Sequence, residues 1–304
     1  MTVDLRTKVG TVDLRNPVMT ASGTAGHGAE FHSMFDLAQL GAHVVKSLAA
    51  FAWEGNPPPR LHPAGTGMIN AVGLQGPGVE AWLRDELPAL VATDARIVVS
   101  IWGRSVEDYR RAAAMLASAP SNVVAVEVNL SCPNLEGRRG IFAHDPELSA
   151  EVIEAVECCG RPRWAKLSPN TDRIVEVAGA VEAAGAEAVT LINTVLGMVI
   201  DQATRRPVLG AGGGGYSGQP VHAVAVRAVF DVHEMHPDLP IVGVGGVTDG
   251  WSAIELMLAG ASAVQVGTAS FVSPRAPVQV IRQIGEWCEQ QGVESVTELI
   301  GAAH

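Results

Sequence analysis

Charge is scarce in this chain: 17% of its 304 residues are Asp, Glu, Lys or Arg, against about 25% in ordinary domains. Hydrophobic residues make up 47%, so disordered and fibrous classes are excluded. Positive charge is scarcer still. There are 21 basic and 32 acidic residues, a formal net charge of −11, which argues against a phosphate backbone or an anionic membrane surface as partner. The only cysteines are Cys132, Cys158, Cys159 and Cys288, with no C-x-x-C pair or spaced framework, so a disulfide scaffold is not expected. No uninterrupted apolar run approaches the roughly 18 residues of a membrane helix. MTVDLRTKVG carries no apolar h-region, so no secretory signal is expected either. The cytoplasm is the default location.

Lysine is nearly absent. Lys8, Lys46 and Lys166 are the three lysines among the 21 basic residues, the rest being Arg. Two of them end apolar, strand-like runs, AHVVKS and RWAKLS. An Arg-biased codon usage would leave chance survivors, but this placement favours function, because a lysine's compact charge is not interchangeable with a guanidinium.

What is present is a repeating alternation. Apolar, β-branched runs stand at 17–20, 42–46, 97–101, 123–130, 163–167, 188–193, 240–245 and 263–267. Such runs fit parallel strands buried on both faces better than a half-solvated sheet. Helix-periodic segments lie between or after them at 30–40, 78–92, 105–117, 146–158, 172–184, 221–235, 250–259 and 275–290. Eight strand–helix repeats predict an α/β chain folded as a (β/α)8 barrel. QLGAHVV (39–45), AAGAEAVTL (183–191) and LAGASAVQV (258–266) support it, each predicting a helix closed by a left-handed glycine before a buried strand. TKVGTVDLRNPV predicts an N-terminal hairpin under the barrel. No linker divides the chain, so a single domain over 1–304 is expected. The run GAGGGG (210–215) reads as a mobile loop ahead of the sixth helix.

Barrels of this kind carry their chemistry at the C-terminal ends of the strands. Those ends read TASGTAG (20–26), Lys46-Ser47, Ser100, Asn129 to Asn134, Lys166, Asn193-Thr194, Gly245-Gly246 and Gly267-Thr268. No carboxylate pair stands there for glycosidase chemistry and no histidine cluster for a metal. The last two ends leave backbone N–H groups uncovered, the usual phosphate site of a barrel, although glycines can also serve only to make tight turns. Cys158, Cys159 and Cys288 fall in helical segments and read as small buried hydrophobes. Cys132 differs: Pro133 and Asn134 take it off the strand above the mouth, where a thiol can act as base or nucleophile.

NLSCPN (129–134), KLSPN (166–170), NAVGLQGPG (70–78), EGNPPPR (54–60), LINTVLGM (191–198) and GASAVQVGT (260–268) together resemble the class 1 dihydroorotate dehydrogenases, from TASGT to FVSP (271–274). LINTVLGMVID and TRRPVL resemble the B-type, which works with an electron-transfer subunit, more than the fumarate-using A-type. The resemblance implies a barrel holding FMN that oxidises dihydroorotate to orotate in pyrimidine synthesis. It implies FMN contacts from Ser22, Lys46, Ser47, Ser100, Asn129, Lys166, Ile192, Gly218, Gly245, Gly246, Gly267 and Thr268. Substrate contacts are implied from Lys46, Asn70, Ala71, Val72, Gly73, Leu74, Asn129, Asn134, Asn193 and Thr194. The implied assembly is a homodimer joined by two partner subunits bearing FAD and a 2Fe–2S cluster, a heterotetramer.

The chemistry makes sense of these residue types. Oxidation removes a proton from C5 and a hydride from C6 of the substrate, and Cys132 is the one soft base on a strand end. A flat, anionic product with a uracil-like edge needs donors and acceptors together, which Asn70, Asn129 and Asn193 each supply. Lys166 suits the N1–C2 side of a flavin, where a fixed cation tunes the cofactor. Lys46 can bridge flavin and substrate. Ser100 stands where the family often has Asn, and Gly76 replaces the Asn of GLQNPG. Three other readings remain open at this level: a fumarate-dependent A-type enzyme, a non-redox barrel lyase or isomerase on a sugar phosphate, and a silent binding paralogue.

Overall fold

The computed structural model describes residues 3–131 and 141–304. Strands β1 (Thr7–Val9) and β2 (Val12–Leu14) form the expected antiparallel hairpin. They are followed by β3 (Val18–Thr20), β4 (His43–Val44), β5 (Leu61–Ala64), β6 (Gly67–Asn70), β7 (Ile97–Ile101), β8 (Val123–Asn129) and β9 (Arg163–Lys166). The remainder are β10 (Ala188–Leu191), β11 (Val195–Gly197), β12 (Gly214–Gly218), β13 (Ile241–Val244) and β14 (Ala261–Val266). Eight of these pair in parallel in the order β3-β14-β13-β10-β9-β8-β7-β4. A parallel bridge from Met19 to Ala42 joins the two ends of that order, which closes the ring. Every predicted strand run overlaps one of the eight, and β14 begins two residues ahead of its run, at Ala261.

Side chains alternate across a strand, and this fixes the barrel's interior layers. At the bottom, Met19, Val44, Val98, Ala125, Trp164, Ala188, Val242 and Ala263 pack with Val9, Val12 and Leu14 of the hairpin. Two residues further along the same strands the inward set is Lys46, Ser100, Glu127, Lys166, Thr190, Val244 and Gln265. That layer is mostly polar. A second, larger apolar cluster lies outside the ring, between strands and helices.

The outer helices are α1 (Val79–Asp85), α2 (Leu87–Val91), α3 (Val106–Leu116), α4 (Pro146–Ala155), α5 (Ile174–Ala183), α6 (His222–Met235), α7 (Gly250–Leu258), α8 (Ala269–Val272) and α9 (Ala276–Gln291). In α3, Tyr109, Ala112, Ala113 and Leu116 form one buried stripe, and the Ser105 side chain accepts from Asp108 N at the start. A capping box of Asp249 and Ser252 starts α7.

Five expectations need correction. Residues 30–40 form two 3-10 turns, Glu30–Ser33 and Leu37–Gln39, because the Asp36 carboxylate accepts from Ala38 N and starts a new turn. The helix predicted over 78–92 is split after Asp85, where Pro88 supplies no N–H to continue the ladder. Gly185 and Gly260 are left-handed as expected (φ 90° and 125°). Gly41 is not; it follows a 3-10 turn, and a side chain there would strike the Asn16 carbonyl oxygen at 2.3 Å. Cys158 is exposed on its 3-10 turn, whereas Cys159 and Cys288 are buried.

The largest departure is a four-stranded antiparallel sheet outside the ring, ordered β11-β12-β6-β5. GAGGGG was expected to be a loop, yet its last two glycines begin β12 and pair with Leu196, Gly197 and Asn70. Close approach explains the glycines: a Cβ on Gly215 would lie 2.0 Å from Thr194 Oγ1.

Candidate functional site

A cavity of about 830 Å³ opens where the parallel strands end and the antiparallel sheet lies beside them. Its wall contains Ser22, Lys46, Ser47, Asn129, Lys166, Ile192, Gly218, Gly245, Gly246, Gly267 and Thr268, and also Asn70, Ala71, Val72, Gly73, Leu74, Asn193 and Thr194. Segments far apart in sequence therefore meet at one place. Ser100 is the exception. It is fully buried behind Ser47, holding that hydroxyl at 2.9 Å, so it reaches the cavity only through Ser47. The expected residues Cys132 and Asn134 lie outside the described residues.

The polar groups of the wall are tied to one another. Ser47 Oγ is 3.1 Å from Ser22 Oγ and accepts from Asn129 Nδ2 at 3.4 Å. Asn193 Nδ2 donates to Asn129 Oδ1 (3.1 Å), and Asn193 Oδ1 accepts from Thr194 N (2.8 Å). Asn70 Nδ2 donates to the Gly215 carbonyl at 3.2 Å, so β6 and β12 are fixed to each other at the cavity. From outside the ring, buried Tyr109 donates to the Asn129 carbonyl at 2.6 Å and pins the end of β8. Three carboxamides thus hold defined orientations around one space.

Lys46 runs across Gly23, where a Cβ would sit 3.2 Å from its Cδ. Its charge is felt nearby: burial, and after it the Lys46 ammonium, push the His27 imidazole below its usual range, opposed by Glu30. A Cβ at Gly76 would come 3.2 Å from His27 Nε2. The ring of His27 thus closes in on the Cα of Gly76 at this wall.

At the far wall, Gly245 and Gly246 have φ of 141° and 70°. Side chains there would strike Ala225 Cβ at 2.7 Å and His222 Cβ at 2.6 Å. His222 supports the turn from behind, with Nδ1 2.8 Å from the Gly245 carbonyl and Nε2 3.0 Å from Glu255. Thr268 donates to Ser217 Oγ at 2.9 Å, joining the end of β14 to β12. A bare backbone cradle beside a hydroxyl suits a phosphate. Gly245, Gly246, Gly267 and Thr268 line the same cavity as Lys166, a donor set compatible with a phosphorylated cofactor such as FMN.

Several contributors were not foreseen. Asn170 donates to the Thr194 carbonyl (3.0 Å) and accepts from Leu196 N (2.8 Å), steering the chain into β11. Glu127 and Gln265 lie fully buried in the barrel floor, joined by a 2.8 Å hydrogen bond. A carboxylate and an amide inside otherwise apolar runs, VVAVEVNL and AVQVG, were the available signal. No group of three or more potential metal ligands occurs among the described residues.

The model of the family described as dihydroorotate dehydrogenase matches residues 4–287. A protein of Desulforudis audaxviator named dihydroorotate dehydrogenase B (NAD(+)), catalytic subunit, is 46% identical over 305 residues, covering 100% of this chain and 99% of its own length. A protein of the same name from Alkaliphilus oremlandii is 45% identical, covering 95% of each chain. A Solibacter usitatus protein named putative dihydroorotate dehydrogenase A (fumarate) is 41% identical over 99% of each. With its ring of strands, its glycine cradle and its three carboxamides around one cavity, this chain belongs to the dihydroorotate dehydrogenase family.

Proposed function

We propose that this chain is the catalytic subunit of a B-type enzyme that oxidises dihydroorotate to orotate for pyrimidine synthesis, at an FMN held across the barrel mouth. The observation that carries the reading is the convergence of Asn70, Asn129 and Asn193 on a cavity that also contains Lys46, Lys166 and the Gly245–Gly246 cradle. Bound FMN supplies a two-electron acceptor. The chain's own residues do the rest. Asn70, Asn129, Asn193 and Thr194 orient the uracil-like edge, and Lys46 balances the substrate carboxylate. Cys132 takes the C5 proton as a thiolate base. Lys166, in the wall of the same cavity, would supply a fixed positive charge that tunes the bound cofactor.

Electrons then leave for NAD through a partner subunit bearing FAD and a 2Fe–2S cluster, in a heterotetramer built on a homodimer of this chain. The reading includes a cytoplasmic location and a single FMN-binding unit over 1–304. Among the described residues no helix is long and apolar enough to cross a membrane. The Solibacter relative supports a second reading, electron delivery to fumarate by this chain alone.

The visible spectrum of the purified chain tests the proposal. It is expected to be yellow and to bleach with dihydroorotate under anaerobic conditions. Colourless protein that takes up no FMN would refute it.

A further inference from the structure

The polar floor of the barrel contains a charge that binding and proton removal leave unused. Glu127 is 0% exposed, and Lys166 is 6% exposed directly beneath the cavity. Glu127 Oε2 accepts from Gln265 Nε2 at 2.8 Å, and Glu127 Oε1 has no hydrogen-bond donor among the described residues. What faces Oε1 is the Lys166 ammonium, 3.5 Å away. The register brings these groups together: Asn129 pairs with Lys166 across β8 and β9, and Glu127 is one inward position below Asn129. No other ion pair among the described residues is enclosed to this degree. The Arg–Asp and Arg–Glu pairs on the helices are solvated, whereas this one is enclosed.

A buried carboxylate is costly unless paired, and a buried pair offsets its charges at short range. Seen from the cavity, Lys166 is therefore not a bare cation. Its charge is opposed from below by a carboxylate whose position the Gln265 amide fixes. The 3.5 Å separation exceeds a charge-assisted hydrogen bond, and Lys166 also lines the cavity above.

The geometry points to Glu127, clamped by Gln265, as a positioning residue that limits how much of the Lys166 charge acts on the flavin. The inference rests on the proposed FMN site. Electron gain by a flavin puts negative charge at its N1 side, so a cation there favours the reduced form and a carboxylate behind the cation reduces that preference. Glu127 thus holds the flavin potential lower than Lys166 alone would set it.

The test is the two-electron midpoint potential of the FMN-loaded chain, wild type against Glu127→Gln and Glu127→Asp. E127Q keeps shape and removes charge. It is expected to bind reduced over oxidised FMN at least about tenfold more favourably than wild type, a rise of about 30 mV for two electrons. E127D draws the carboxylate back from Lys166 and is expected to give a smaller rise, which carries the test if E127Q does not fold. An E127Q potential equal to or below wild type overturns the inference, as does an unchanged E127D where only that variant folds. A merely structural role for Glu127 moves stability and leaves the potential in place. If wild type takes up no FMN, the underlying functional reading fails; if wild type is loaded and bleached by dihydroorotate, an unmoved potential in E127Q removes this inference alone.

Discussion

Serine in place of Cys132 exchanges a thiol of pKa about 8.5 for a hydroxyl far too weak to ionise near neutrality. Because general-base catalysis contributes about 10²–10⁴-fold, Cys132→Ser is expected to lower turnover at pH 7 by at least about 100-fold. Residual activity should rise toward alkaline pH with FMN content unchanged. Near-normal turnover at pH 7 would remove the cysteine from the reaction. A second residue governs acid stability. His43 is 0% exposed, and burial pushes its imidazole from 6.5 down to about 4. The unfolded chain therefore takes up a proton there at a pH where the folded chain does not. Its contribution is intact above about 6.5 and falls away as the pH drops toward 4, by about 3 kcal/mol in all. His27, His144 and His233 are also lowered by burial and act in the same direction. Urea midpoints measured from pH 7.5 to 4.5 should fall, and the fall should flatten in a His43→Gln protein that folds. An equally steep decline in that variant would exclude His43 as a main source.

The turn after β13 is an element that lines the cavity with bare backbone, at Gly245 and Gly246. Gly246→Ala places a residue at φ 70°, a left-handed conformation costing about 1–2 kcal/mol. Its Cβ would also stand 2.6 Å from His222 Cβ. The expected result is at least about a tenfold loss of FMN affinity in a fluorescence titration, with the far-UV spectrum preserved; full affinity would show that the cradle does not carry the phosphate. This turn was legible in sequence because Gly-Gly directly follows a buried run. The strands and most helices were legible for the same kind of reason, since burial on both faces imposes unbroken apolar runs. The antiparallel sheet was not. Leu61–Ala64, Gly67–Asn70, Val195–Gly197 and Gly214–Gly218 are short and half-exposed, and the last has three glycines in five residues. They lack the alternation that marks a strand, and pairings such as Asn70 with Gly215 span 145 residues. Only the assembled barrel brings them within reach.

At the scale of the whole molecule, electrons must leave the site after each turnover. The strand ends border a single cavity, and the two G-x-G-x-x-G matches, at 210–215 and 213–218, fall in the glycine run and in β12 rather than in the strand-to-helix turn of a second nucleotide domain. The cysteines do not supply a four-thiolate cluster either: Cys158 is exposed, while Cys159 and Cys288 are buried with thiols pushed up by burial. The purified chain is therefore expected to reduce artificial dyes with dihydroorotate but to reduce NAD negligibly until the partner subunit is added. Rapid NAD reduction by the chain alone would exclude the partner, and rapid fumarate reduction would establish the A-type reading.

The sequence by itself determined the ring of eight strands, the hairpin beneath it and the strand ends that border the cavity. Buried parallel strands and βα turns write themselves as local patterns of apolar runs and glycines. It also determined which side chains are rare enough to matter, Lys46 and Lys166 above all. The tertiary structure decided the rest. Ser100 came to lie behind Ser47, and His27 came to lie against Gly76. Glu127 and Gln265 came to lie under Lys166 because the inward faces of β8, β9 and β14 meet at one level of the barrel. Those relations depend on register and closure across more than a hundred residues, and a linear pattern encodes which face a side chain takes but not whom it meets there.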